Sequence, residues 1–150
     1  MFALLGGGVR KKMLVIEDEK IDALGIGRVL KKEFPNVALE VVTNGEQALD
    51  WIQRFRPDPE ESVFLVLMDL TMPRMSGLDL ISEFKRHAQL HSTPIVILSG
   101  SDSPSAISSA YGLGACGYLV KPSTSAEMSD LLSKTLNYWL NANRLPAEPA

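Results

Sequence analysis

The sequence predicts an α/β domain built on a parallel sheet, and two features carry that reading. Short, unbroken apolar runs recur at residues 13–16, 63–68, 95–98 and 118–120, with helix-length segments between them. Such runs are the mark of strands covered on both faces. A strand and helix alternation repeated five times with short links implies a doubly wound fold, with helices on both faces of a parallel sheet.

The first strand, residues 13–16, ends abruptly in Glu17-Asp18-Glu19. A helix over 20–34 then carries Ile26, Val29 and Leu30 on one stripe and stops before Pro35, which cannot extend it. Residues 37–42, with Glu40 among them, suit an edge strand. Thr43 with Glu46, or Asn44 with Gln47, has capping-box spacing and opens a helix running to about Phe55. A polar, proline-bearing loop at 56–61 precedes the third strand, residues 63–68. The third helix, residues 76–90, repeats Leu80, Ile81 and Phe84 at helical spacing.

After the fourth strand at 95–98, Pro104 sits at a plausible first-turn position of a helix over 103–113. That segment is rich in Ser and Gly, so it is expected to be the least stable helix. Residues 118–120 form the fifth strand, and Ser123 or Thr124 caps a last helix striped with Met128, Leu131, Leu132, Thr135, Leu136 and Trp139. Residues 1–10, with Gly6-Gly7-Gly8, read as a flexible leader, 11–142 as one domain, and 143–150 as a fraying tail.

Composition narrows the function. Fifteen basic and eighteen acidic residues leave a net charge of −3, and no basic stripe appears, which disfavours nucleic acid as a partner. The greasy start, residues 1–5, is too short for a membrane span or an export signal. The single cysteine, Cys116, excludes an internal disulfide and suits a reducing cytoplasm. Within its apolar run it reads as a small buried core residue. His87 and His91 read as solvated surface imidazoles rather than metal ligands.

In open α/β sheets, ligands gather beyond the carboxyl ends of the strands. There the sequence places Glu17 and Asp18 after the first strand, Asp69 after the third, Ser99 after the fourth and Lys121 after the fifth. Three crowded carboxylates repel one another and call for a cation. All are hard oxygen ligands without accompanying His or Cys, which favours Mg²⁺ over Zn²⁺ and points towards phosphoryl chemistry. A carboxylate can itself act as nucleophile and form an aspartyl-phosphate, while metal and lysine neutralise the transferring oxygens.

Four blocks carry a resemblance: Val15-Ile16-Glu17-Asp18-Glu19, Leu67-Met68-Asp69 through Ser76-Gly77, Val96-Ile97-Leu98-Ser99-Gly100, and Tyr118-Leu119-Val120-Lys121-Pro122. Together, over residues 12–141, they resemble the receiver domains of bacterial two-component response regulators. The resemblance implies a flavodoxin-like receiver fold with strand order 2-1-3-4-5. It implies Asp69 as the phosphorylated residue, with Asp18 and Asp69 as direct magnesium ligands, Glu17 as a direct or water-mediated one, and the Thr71 main-chain carbonyl as another. Lys121 would pair with the phosphoryl group, and Ser99 would hydrogen-bond it while Tyr118 swings inward as the switch. Gly100 would leave the entrance open, and the Lys121–Pro122 bond could be cis, which proline allows.

The implied partner is a sensor histidine kinase. The loop near Pro57-Asp58-Pro59, the Tyr138-Trp139-Leu140 run and the following tail are similar to stand-alone regulators paired with bacterial phytochromes. Ile21 and Leu24, opposite the buried stripe of the first helix, are a candidate kinase docking spot, and Trp139, Tyr138 and Leu145 a candidate homodimer surface through the last helix. Self-catalysed phosphorylation and dephosphorylation, with output by protein contact, is the expectation. A relay intermediate and a phosphate-independent scaffold are the alternatives. A haloacid-dehalogenase-type phosphatase is disfavoured, since Thr71 stands where such enzymes need a second Asp.

Overall fold

The computed structural model describes residues 8–72 and 75–146. Five parallel strands, β1 (Arg10–Ile16), β2 (Ala38–Val42), β3 (Glu61–Met68), β4 (Ile95–Ser99) and β5 (Gly117–Val120), form one sheet in the order β2-β1-β3-β4-β5. The helices between and after them are α1 (Lys20–Glu33), α2 (Gly45–Arg54), α3 (Gly77–Arg86), α4 (Pro104–Leu113) and α5 (Ser125–Asn137). This is the flavodoxin-like receiver architecture that the sequence implies. The strand order reverses direction between β1 and β3, so the polar chain ends after those two strands border one crevice.

The two faces of the sheet carry separate apolar cores. One unites Leu14, Ile16, Val66, Met68, Ile95 and Ile97 with Ala48 and Ile52 of α2, Leu80, Ile81 and Phe84 of α3, and Ala110 of α4. The other packs Met13, Val15, Leu65, Leu67 and Leu98 against Ile26, Val29 and Leu30 of α1 and Leu132 and Leu136 of α5. Alternate residues of each central strand thus serve opposite cores, which is why these strands read as unbroken apolar runs. Each fully buried side chain of this kind contributes about 1.5–3 kcal/mol, and the strand ends are held correspondingly rigid.

Local signals fix the helix starts. Asn44 caps α2, its side chain accepting from Gln47 N–H at 2.8 Å, while Gln47 Oε1 accepts from Thr43 N–H at 2.9 Å. Ser103 caps α4 with Pro104 inside its first turn, and Thr124 caps α5. Gly114 closes α4 at φ 118°, a left-handed conformation that glycine adopts without penalty.

Four expectations are corrected. The fifth strand is only partly covered: Tyr118 packs on one core and Leu119 on the other, but as the sheet edge it is half-buried, and Val120 is exposed. Cys116 is exposed, because its N–H pairs with Ile95 O as the chain enters β5, and Ala115 takes the buried place. The third helix ends at Arg86 rather than Leu90; His87 caps it, and hydrogen-bonded turns carry the chain to β4. The tail does not simply fray: a π-helical turn, Tyr138–Ala142, closed by Asn143 N–H to Tyr138 O at 2.7 Å, turns Leu145 back onto the α1/α5 core.

Arg10, assigned to the leader from sequence, opens β1 with its N–H on Glu60 O; leader residues 1–7 and tail residues 147–150 lie outside the described residues. Among the described residues no helix is long and apolar enough to cross a membrane.

Candidate functional site

The backbone delivers the acidic residues to one rim. Glu17 N–H pairs with Val42 O at 3.0 Å and Asp69 N–H with Ile16 O at 3.0 Å, so the sheet's own ladder continues into both residues. Glu17, Asp18 and Asp69 each direct a carboxylate oxygen into a cluster whose atoms lie within 4.8 Å of one another. Glu17 and Asp69 are buried, at 2% and 6% exposure. Asp18 Oδ1 is buried with no hydrogen-bond partner. Unpartnered buried carboxylate oxygen is costly, and a cation beside it would remove that cost. The residues present therefore fit a hard divalent ion of the Mg²⁺ kind.

Lys121, immediately after β5, spans the same rim. Its Nζ donates to Asp22 Oδ2 at 2.7 Å and to Asp69 Oδ2 at 2.9 Å, and lies 2.9 Å from Glu17 Oε1. Burial alone would lower the lysine pKa, but the hydrogen bonds to Asp22, Glu17 and Asp69 outweigh it and hold the ammonium firmly protonated. Burial dominates at Glu17, pushing its pKa up to about 7 with help from the Asp69 charge; Lys121 and the Glu19 N–H at 3.2 Å oppose that rise.

Ser99, Thr71 and Tyr118 border the cluster in different ways. Thr71 is exposed and its N–H donates to Asp69 Oδ1 at 2.9 Å, fixing the carboxylate's rotation. Ser99 is fully buried, its Oγ accepting from Ser101 N–H at 3.3 Å, and its carbonyl accepts from Lys121 N–H at 2.8 Å. The Tyr118 hydroxyl donates to Ser101 O at 2.8 Å while its ring packs on the α2/α3/α4 core. Ser99 and Tyr118 are thus joined through opposite sides of one residue, Ser101. A side chain at Gly100 would meet nothing within 4 Å, so that edge is open. The Lys121–Pro122 bond is trans.

Sequence reasoning missed Asp22. An acidic residue in a helix's first turn is explained by the helix dipole alone, and that ordinary reading hid its contact with Lys121. The available signal was spacing: Asp22 follows Asp18 by four residues, and α1 starts right at the rim. Glycine sets another constraint there. A Cβ on Gly77 would lie 2.8 Å from Leu70 Cα and 3.0 Å from Asp69 O, so only glycine lets α3 begin against the Asp69 loop.

Comparison with known proteins agrees with this geometry. The response regulator receiver domain family matches residues 13–133. A phosphorylated cyanobacterial phytochrome response regulator, RcpA, superposes with a TM-score of 0.83 at 25% identity, covering 93% of this chain and all of that one. The Mn²⁺-bound form of response regulator Rcp1 gives 0.80 at 27% identity over 91% of this chain and 99% of its own. In sequence, a probable methanogenesis regulatory protein, FilR2 of Methanothrix harundinacea, is 28% identical over 134 residues, 89% of this chain and 86% of that one. With the family match extending over most of its length, the chain belongs to the response regulator receiver domain family.

Proposed function

We propose that the chain accepts a phosphoryl group on Asp69 from the phosphohistidine of a sensor histidine kinase and signals by protein contact. The observation that carries this is the Lys121 ammonium 2.9 Å from Asp69 Oδ2, beside an acidic cluster that holds an unpartnered Asp18 oxygen. An Asp69 oxygen attacks phosphorus, the P–N bond breaks, and its electron pair returns to the imidazole. Glu17, Asp18 and Asp69, with the Thr71 carbonyl, would hold magnesium; when bound, it supplies positive charge against the phosphoryl oxygens. Lys121 supports the opposite side of that group, and Ser99 donates its hydroxyl to it. Hydrolysis reverses the state: water attacks phosphorus, the P–O bond to Asp69 breaks, and carboxylate and phosphate are released.

The Ser99–Ser101–Tyr118 chain supports a switch role for Tyr118. When Ser99 turns to the phosphoryl group, the Gly100–Ser101 peptide N–H loses its acceptor, and Ser101, whose carbonyl in the following peptide Tyr118 holds, shifts. Ile21 and Leu24, 81% and 59% exposed beside the site, form the proposed kinase docking spot. Likeness to the phytochrome response regulator RcpA favours a phytochrome-type kinase as the partner. Of the three candidate homodimer residues, Trp139 and Leu145 pack on their own core and Tyr138 is exposed, so Tyr138 carries that part of the proposal.

The test is intact-mass spectrometry after incubation with acetyl phosphate, with and without Mg²⁺. A single phosphoryl adduct that requires Mg²⁺ supports the reading. No adduct under conditions where Mg²⁺ binds contradicts it.

A further inference from the structure

Lys121 donates hydrogen bonds to two carboxylates, Asp22 at 2.7 Å and Asp69 at 2.9 Å, and forms an ion pair with a third, Glu17, at 2.9 Å. An arriving phosphoryl oxygen therefore competes with these carboxylates for the ammonium. The one that yields most readily is the one least tied to the site. Glu17 and Asp69 are sealed in, with side chains 2% and 6% exposed, whereas the Asp22 side chain is 29% exposed and can pass to water at little cost. Asp22 also comes from α1, an element that contributes none of the clustered carboxylates.

We propose that Asp22 is a positioning residue, the exchangeable partner of Lys121: it holds the ammonium while Asp69 is unmodified and yields that place to a phosphoryl oxygen. The proposal rests on the phosphoacceptor reading of Asp69 given above. Asp22 opposes phosphorylation in two ways. It occupies a donor the phosphoryl group needs, and it adds a negative charge against an anionic donor. Its departure also frees the first turn of α1 from the site, next to the exposed Ile21 and Leu24.

The test compares wild type, Asp22→Asn and Asp79→Asn. Asp79 is likewise an acidic first-turn residue, on α3, so its loss reproduces the helix-dipole change without touching Lys121. Acetyl phosphate is titrated at saturating Mg²⁺ in low and high salt, with labelling read by intact mass, and Mg²⁺ affinity is measured separately by calorimetry. Asp22→Asn should lower the acetyl phosphate concentration for half-maximal labelling by about threefold to tenfold in low salt. High salt should narrow the difference. Mg²⁺ should bind Asp22→Asn more weakly, because a negative charge is gone, so the two affinities move in opposite directions. Asp79→Asn should match wild type in both.

A labelled wild type with the same half-maximal concentration in Asp22→Asn overturns the proposal and leaves the phosphoacceptor reading standing, as does a lowered melting temperature with no such shift. A wild type that binds Mg²⁺ and takes no label overturns both.

Discussion

Lys121 and Asp69 are 52 residues apart in sequence and 2.9 Å apart in space, Nζ to Oδ2. The contact ties the end of β5 at the sheet edge to the end of β3 at its centre, and brings one cation to a group of carboxylates that would otherwise repel one another. Replacing Lys121 with Met removes that cation. Labelling by acetyl phosphate should fall about a hundredfold, as when one preorganised donor is lost. Breaking a buried ion pair costs about 3–5 kcal/mol; with Asp22 partly open to solvent, a loss of about 1–3 kcal/mol is expected here. Thermal melts of the metal-free variant should show it, and Mg²⁺ should recover part.

Glu17 gives the site a pH dependence. Its folded-state pKa of about 7 lies above the ordinary 4.5, chiefly through burial, so the folded protein holds this proton more tightly than the unfolded chain. Stability of the metal-free protein should therefore fall as pH rises from 4.5 to about 7, by at most about 1.4 kcal/mol per pH unit. Metal and proton compete for the same carboxylate, so Mg²⁺ affinity should rise over the same window. Calorimetric titrations across it would show a flat affinity if Glu17 were already ionised.

Gly77→Ala should damage site and stability together. The added methyl meets backbone at 2.8 Å and 3.0 Å as well as Leu70 Cδ2 at 3.0 Å, so turning one side chain cannot relieve it, and the adjustment should cost about 1–3 kcal/mol. Because one of the displaced atoms is Asp69 O, labelling should slow as well. Gly25→Ala, within α1 and with nothing within 4 Å, is the control and should be neutral or stabilising.

The helix α4 should exchange its amide hydrogens faster than α3. It buries Ala110 alone, whereas α3 buries Leu80, Ile81 and Phe84 against the sheet. Few buried apolar contacts leave a helix at the low end of local stability. Hydrogen exchange showing equal protection would refute this.

Much of this is legible in the sequence. Apolar runs such as Val66-Leu67-Met68 can be buried only between two helix layers, and the polar residues that end those runs fall together at the strand ends. Capping residues such as Asn44 and Thr124 were readable because they act within a few positions of themselves. What escaped depended on distant neighbours. Whether Tyr118-Leu119-Val120 is central or at the edge is decided by strand order, not by its own residues. Cys116 lies outside because of which way the chain turns into β5. Asp22 could be assigned to Lys121 only when the start of α1 and the end of β5 met, 99 residues apart.

The central claim is that Asp69 becomes an aspartyl-phosphate, and it can be read at that atom. Borohydride reduces an acyl phosphate to an alcohol and leaves a free carboxylate untouched. Protein incubated with acetyl phosphate and Mg²⁺, reduced and then mapped by peptide mass spectrometry should carry homoserine at position 69 and nowhere else, and the Asp69→Asn variant should carry none. Homoserine at Asp18, or Mg²⁺-dependent reduction product that persists in Asp69→Asn, would contradict the account.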